Sequence, residues 1–381
     1  MKQIFDYVIV GGGLQSVLLV CALSRRSPAS RVAVVERGRT LAGNHTWCFH
    51  ETDLSDEMRA AVRPLVAASW DGHDVEFPGR ARTLSGAYHC VTSERAHAVV
   101  SALLGQPQHR LILGAAAAQI EERRVVLEDG SVLEAAAVID ARGPSRLEAR
   151  RIAGYQKFLG LELELAEPCE LARPVLMDAC VPQLDGFRFM YVLPFEPRRV
   201  LLEDTYFSES SELDAPALRA RILDYARERK LAVSRVLREE VGVLPLPAEL
   251  DPPRPVAPFI AGYQGGWFHP TTGYSFPLAA RVAEYVAARE ASALVGADLE
   301  KLCSGHARQL RFALLLNRLL FGAFEPEARF HVFERFYGLP ESTIQRFYAL
   351  SMTSMDRARI LCGRPPRGIS LRRAVRRGVH A

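Results

Sequence analysis

The chain has 381 residues, 49% hydrophobic and 24% charged, with a formal net charge of +4. That is length for two to three domains in a globular composition, and too little net positive charge for a global nucleic-acid footprint. Seven cysteines and ten histidines without CxxC, HxxxH or HExxH spacing exclude a zinc centre and a disulfide framework, so no metal is expected and the compartment reads as reducing and cytoplasmic.

The first element is Asp6-Tyr-Val-Ile-Val10, an apolar, β-branched run that turns abruptly into Gly11-Gly12-Gly13-Leu14. Val17–Leu23 is apolar enough for a buried helix, and Arg31–Glu36 reads as a second buried strand. Strand, glycine turn, helix, strand is the βαβ unit that grips a dinucleotide. Gly11 permits the tight turn, Gly12 and Gly13 let backbone approach a pyrophosphate, and the helix beginning at Leu14 points its N–H groups at the phosphates. Glu36, at a strand end 23 residues after Gly13, can accept both hydroxyls of an adenosine ribose, with Arg37 beside it. A carboxylate there favours FAD or NAD over NADP. The third glycine position is Ser16. The glycines also interrupt the apolar stretch, which lacks a signal peptide's basic start and cleavage site.

Residues 37–50 form a polar loop with Asn44, His45, Trp47 and His50 clustered in it, either packing the tryptophan on the core or covering a bound cofactor. A helix is expected at 55–68, short strands near Asp74–Phe77 and Thr83–Leu84, and a helix capped by Ser93 through Leu104. Val125–Leu133 is a hairpin around Asp129-Gly130, and Ala136–Ala141 a buried strand that brings Gly143 to the cofactor.

From Gly154 the pattern alternates, as in Leu161-Glu-Leu-Glu-Leu165, the mark of antiparallel strands with one wet face. Strands at 175–180, 187–193 and 200–204 follow, then a helix at 215–229 and the segment 238–247 leading out. Pro258–Gly262 is a strand, Tyr263–Gly273 a glycine-rich turn, and 274–289 an amphipathic helix re-entering the first domain. Its N-terminus, at Gly273-Tyr274-Ser275, is expected at the pyrimidine edge of a flavin, where the helix dipole favours negative charge.

From Asp298 the chain reads as helical. Gln309–Phe324 is apolar nearly all round, either a core helix or a surface that dips into a bilayer. The tail from Leu361 carries six arginines and no acid; coding bias explains it, since only four of the 48 basic residues are lysine, yet it also suits anionic lipid. No segment reaches ~18 uninterrupted apolar residues.

Glu203-Asp204 is an acidic pair where an apolar strand is expected to end, and Glu239-Glu240 after Arg238 is a second acidic pair. A carboxyl in an apolar pocket has its pKa raised and can serve as an acid at neutral pH; taken alone, each pair is more often a solvated strand end or loop.

Gly43-Asn-His-Thr-Trp47, Gly154-Tyr-Gln-Lys-Phe158, Leu202-Glu-Asp-Thr-Tyr206 and Tyr263-Gln-Gly-Gly-Trp-Phe-His-Pro-Thr-Thr-Gly-Tyr-Ser275 resemble the bacterial lycopene β-cyclases, as do Arg335–Pro340 and Asp356–Pro366. The resemblance runs in order along nearly the whole chain. It departs at Gln15-Ser16 and at the late turn, where related flavoproteins carry Gly-Asp and this chain has Gly273-Tyr274. The resemblance implies a flavin-dependent isomerase that closes the ψ-ends of lycopene into β-rings with no net redox change. FAD would work in its reduced form, with NAD(P)H as reductant. Glu203 carries over as the proton donor and Asp204 as its tuner or a holding residue, with Glu239, Glu240 and His269 as further candidates. The runner-up is a redox polyene reductase or hydroxylase on the same fold.

The expected architecture is α/β. Residues 1–150 with 255–297 form a Rossmann-like FAD-binding domain of the two-domain, glutathione-reductase-like kind; 151–254 an antiparallel β substrate domain; and 298–381 a helical, membrane-associated region. Its partners would be lycopene and, peripherally on the cytoplasmic face, membrane lipid.

Overall fold

A computed structural model describes residues 4–143, 149–363 and 365–376. The chain opens with β1 (Ile4–Val10), α1 (Leu14–Arg26) and β2 (Val32–Glu36). Next come β3 (Thr46–His50), α2 (Asp56–Val62), β4 (Ala68–Phe77), β5 (Arg80–Thr92) and α3 (Ser93–Leu104). The strands β6 (Arg110–Leu113), β7 (Ala117–Ile120), β8 (Arg124–Leu127) and β9 (Val132–Asp140) lead to β10 (Ala149–Leu165), β11 (Val175–Asp178), β12 (Phe187–Glu196) and β13 (Arg199–Ser208). After α4 (Ala215–Glu228), β14 (Val233–Leu250) and β15 (Phe259–Ile260), the remainder is helical. It comprises α5 (Phe276–Ala287), α6 (Ala297–Ala323), α7 (Phe330–Phe336), α8 (Glu341–Tyr348), α9 (Ser354–Leu361) and α10 (Leu371–Arg376).

The strands form two sheets. One runs β6-β2-β1-β9-β8-β7, with β15 added alongside β9. Its β6, β2, β1, β9 and β15 are mutually parallel, as βαβ crossovers demand, and β1 and β2 are almost wholly buried. Helices α1 and α5 pack together against it through Val17, Leu18, Val282 and Val286, each no more than 1% exposed. This is the Rossmann-like layer.

The second sheet runs β14-β10-β13-β12-β11-β4-β5-β3. Its long β10, β13 and β14 are antiparallel, and α4 covers one face through Leu218, Ile222 and Ala226 against Leu159, Leu161 and Leu163. The sheet also differs from the expected layout. Residues 46–92 were placed with the dinucleotide unit, whereas β3, β4 and β5 belong to the second sheet, joined to it where β4 runs parallel to β11. The expected short strands at 74–77 and 83–84 are one long hairpin. The segment 238–247 is part of an 18-residue edge strand rather than an exit.

The N-cap of α3 is Thr92, whose Oγ1 accepts from Arg95 N at 3.3 Å, one residue before the expected cap. Helix α6 packs inward. Asn317, fully buried, donates to the carbonyls of Pro247 and Pro270, each at 2.9 Å, and Arg318 to that of Ala248. Within the basic tail, Arg373 is buried and paired with Glu209 and Glu325. Arg364 and residues 377–381 lie outside the described residues. No helix among the described residues is long and apolar enough to cross a membrane.

Candidate active site

The glycine turn is built for close approach. Gly11 has φ +103°, and a Cβ there would stand 2.6 Å from the Ala141 carbonyl oxygen, so only glycine fits. A Cβ on Gly13, the N-cap of α1, would meet nothing within 4 Å, and no side chain caps the helix. That leaves an open, electropositive cradle for a pyrophosphate. Glu36 takes the Gly12 amide on Oε2 at 2.6 Å and the Gly38 amide on Oε1 at 2.7 Å, which fixes the carboxylate beside the cradle where a ribose would lie. Leu14 is buried beneath the turn, and Arg37 and Gly143 are exposed at its rim.

The departure at Gln15-Ser16 has a structural reason at each residue. The Ser16 hydroxyl donates to the Gly11 carbonyl, bracing the turn where a third glycine would only pack, and Gln15 donates to Ala279 of α5 at 3.1 Å. These residues fit a dinucleotide such as FAD.

The late turn meets the second sheet. Gly273 has φ +67°, and a Cβ there would lie 2.7 Å from Leu244 Cδ1 on β14 and 3.5 Å from Gln156 Oε1 on β10. Ser275 is the N-cap of α5, again without a side-chain cap, and no acid lies in the first turn to cancel the helix dipole. Tyr274 donates from its hydroxyl to Asp53 Oδ2 at 2.5 Å, and that oxygen also accepts from His50 N at 2.9 Å.

His269 is fully buried within this turn and acts as its scaffold. Its Nδ1 accepts from Thr271 N, its N–H donates to the Tyr274 carbonyl, and its carbonyl accepts from Gly273 N. Burial pushes its imidazole down to about 3, so it stays neutral, and it is not brought to the acids.

The acids sort by strand parity, because successive side chains point to opposite faces. In register, Glu203 stands beside Gly160 of β10 and Tyr191 of β12, and Gly160 stands beside Glu240 of β14. Tyr191, Glu203, Gly160 and Glu240 therefore form one row on one face. The next row holds Phe189, Thr205, Phe158 and Gly242, and the one beyond it Phe187, Phe207, Gln156 and Leu244. Because Gln156 and Leu244 touch Gly273, the aromatic stretch between the late turn and Glu203 spans four residues of β10, about 13 Å.

Glu203 is partly buried, and its Oε1 accepts from Thr205 Oγ1 at 2.6 Å. Burial pushes its carboxyl up to about 8; the Thr205 hydroxyl opposes the rise, and the charges of Glu240 and Asp204 add to it. Tyr191 OH and Tyr88 OH are 2.9 Å apart at the end of the row.

Asp204 points to the other face, beneath α4. It is fully buried, accepting from Arg188 Nε at 2.7 Å, Arg188 Nη2 at 3.1 Å and Tyr206 OH at 3.0 Å. Glu239 likewise faces away, paired with Arg219 of α4 at 2.9 Å. Of the second acidic pair, Glu240 is the member on the Glu203 face. Gly160, Tyr191 and Tyr88 complete the row and were not singled out in the sequence. The parity of β14 was the signal that separates Glu240 from Glu239. No group of side chains that could hold a metal ion occurs among the described residues.

The family model "Lycopene cyclase protein" matches residues 6–374. A lycopene beta-cyclase of Pantoea ananas is 38% identical over 373 residues, spanning 96% of this chain and 96% of its own. A lycopene beta-cyclase of Pseudescherichia vulneris is 40% identical over 367 residues, spanning 95% of this chain and 94% of its own. Among solved structures, a probable FAD-dependent monooxygenase from Pseudomonas aeruginosa shares the fold, with a TM-score of 0.58 at 21% identity over 85% of this chain and 97% of its own.

Proposed function

The chain belongs to the lycopene cyclase family, and on that premise we propose that it converts the ψ-ends of lycopene into β-rings, by way of γ-carotene to β-carotene, as a non-redox isomerase. The observation that carries this reading is Glu203, a carboxyl held protonated up to about pH 8 at the end of an aromatic sheet face.

Its proton goes to C2 of a terminal ψ-end, leaving a tertiary cation at C1. The C5=C6 double bond attacks C1, forming the C1–C6 bond and moving the cation to C5. Loss of the C6 proton then gives the ring double bond, so the product is an isomer and the proton is returned. Phe158, Phe189 and Phe207 supply apolar, π-rich surface that excludes water and favours a passing cation.

The cradle of Gly11, Gly12, Gly13 and Glu36 is our proposed grip on the adenosine half of FAD, with Gly273, Tyr274 and Ser275 against the isoalloxazine. Bound there and reduced by NAD(P)H, the flavin would supply electron density to steady positive charge. Lycopene is a hydrocarbon that dissolves in lipid, so we place the protein peripherally on the cytoplasmic face of the membrane. Flotation with lipid vesicles tests that placement.

The fold likeness to a probable FAD-dependent monooxygenase favours a second reading, a redox polyene reductase or hydroxylase. Expression in lycopene-accumulating cells separates the two. The cyclase yields β-carotene of unchanged elemental composition and uses NAD(P)H only to prime the flavin, whereas the redox enzyme consumes it stoichiometrically. Glu203→Gln should abolish cyclisation while flavin stays bound. Retained β-carotene production by that variant would refute the assignment of Glu203.

A further inference from the structure

Glu203 and Glu240 are a pair of carboxylates with unequal surroundings. Both stand beside Gly160 on one sheet face, so their backbones are two strand spacings apart, about 10 Å. Gly160 has no side chain to fill the gap, and Glu203 leans into it: its Oε2 is 3.6 Å from where a Gly160 Cβ would stand.

Their hydrogen bonds differ. The Glu203 carboxyl accepts from the neutral hydroxyl of Thr205. Glu240, 6% exposed, is gripped on both oxygens, by His45 Nδ1 at 3.0 Å, Thr46 N at 3.1 Å and Arg238 Nη1 at 3.3 Å. Glu240 is thus held by a guanidinium and a backbone amide, while Glu203 has a neutral hydroxyl against it.

Arg238 is shared with Glu162, whose other oxygen is held by Arg199. The Arg238 guanidinium donates to Glu162 Oε2 at 3.0 Å and to Asn44 Oδ1 at 3.1 Å. Around Glu203 stand Thr205 and Leu201 of β13, Tyr191 of β12 and Gly160 with Glu162 of β10. Glu240 and Arg238 face it from β14, and Tyr88 and Cys48 lie behind Tyr191.

We propose that Glu240 is a positioning residue for the proton: held by His45, Thr46 and Arg238 across Gly160 from Glu203, it favours the proton staying on the Glu203 carboxyl. Burial is the main cause of the raised Glu203 carboxyl, and the nearby Glu240 adds to it.

The inference rests on Glu203 as proton donor, so the test reads the carboxyl apart from catalysis. In flavin-loaded protein, the infrared band of a protonated carboxyl that disappears in Glu203→Gln is titrated with pH, alongside the pH profile of cyclisation. In E240Q the band and the alkaline limb of activity should move together to lower pH by about one unit, with activity at pH 6 changed least. Arg238→Gln removes positive charge and should move both to higher pH.

A folded, flavin-loaded E240Q whose band and limb stay in place overturns the proposal, as does a uniform loss of rate at every pH. Should E240Q fail to fold, Arg238→Gln decides alone, an unmoved or lowered titration overturning it. If the wild type shows no Glu203 band or makes no β-carotene, the proton-donor reading itself falls. If both are present and only the shifts are missing, the role of Glu240 falls alone.

Discussion

Glu203 and Asp204 are neighbours in the chain and lie on opposite faces of one sheet, the first against the aromatic rows and the second locked to Arg188 under α4. Only one of them can meet a substrate on the aromatic face. Asp204→Asn should therefore damage the fold rather than the chemistry. It leaves the Arg188 guanidinium, 5% exposed, without its counter-charge, a loss of about 3–5 kcal/mol in stability. Thermal unfolding should show a large drop in Tm. The fraction that remains folded should still load flavin and still cyclise, in contrast with Glu203→Gln.

With Glu203 as the proposed proton donor, its ionisation would set an upper pH for the reaction. Its carboxyl titrates at about 8, so cyclisation should hold below that pH and fall as pH rises through it, about tenfold per unit beyond. The Thr205 hydroxyl favours the ionised form by donating to Oε1. Thr205→Val removes that donor, and the alkaline limb should move upward. A limb that moves downward, read from initial rates across pH 6–10, would contradict this geometry.

Gly11 tests the cofactor cradle. An alanine Cβ at 2.6 Å from the Ala141 carbonyl, on backbone at φ +103°, must displace the turn that faces the phosphates. Strain of about 2 kcal/mol would weaken flavin binding roughly thirtyfold. Flavin absorbance of purified Gly11→Ala, compared with wild type, checks it. Ser16→Gly, which removes only the brace to the Gly11 carbonyl, should lose far less.

The legible parts of this molecule were those whose signal is local. The βαβ unit around Gly11, Gly13 and Glu36 could be read because glycine spacing between two apolar strands is a pattern within about thirty residues. The second sheet was harder, since its membership of β3–β5 depends on β4 lying along β11, a contact between residues about a hundred positions apart. Acid parity failed for the same reason. Without the register of β10 against β13 and β14, Glu203 cannot be told from Asp204, nor Glu240 from Glu239. Gln309–Phe324 read either as a core helix or as a lipid-facing surface because it is apolar nearly all round. It is so because β10 and β14 cover one side of α6 while α10 docks elsewhere on it.

Asp53 offers a test of how the late turn is held, through stability alone. Burial pushes its carboxyl up to about 6, against the opposing hydrogen bonds from Tyr274 and His50 N and the charge of Arg281. A group whose folded pKa lies above its unfolded value of 3.8 stabilises the fold while protonated. That contribution is complete below about pH 4 and is lost as pH rises through about 6, a change of about 2–3 kcal/mol. Asn stays neutral at every pH, and its carbonyl can still accept from Tyr274 OH and His50 N. Asp53→Asn should match the wild type in Tm near pH 4 and exceed it near pH 8, with flavin loading unchanged because Tyr274 keeps its acceptor. Parallel Tm-versus-pH curves for the two proteins would show that Asp53 is not a neutral buried acid at pH 4, and that Tyr274 is held by a carboxylate throughout.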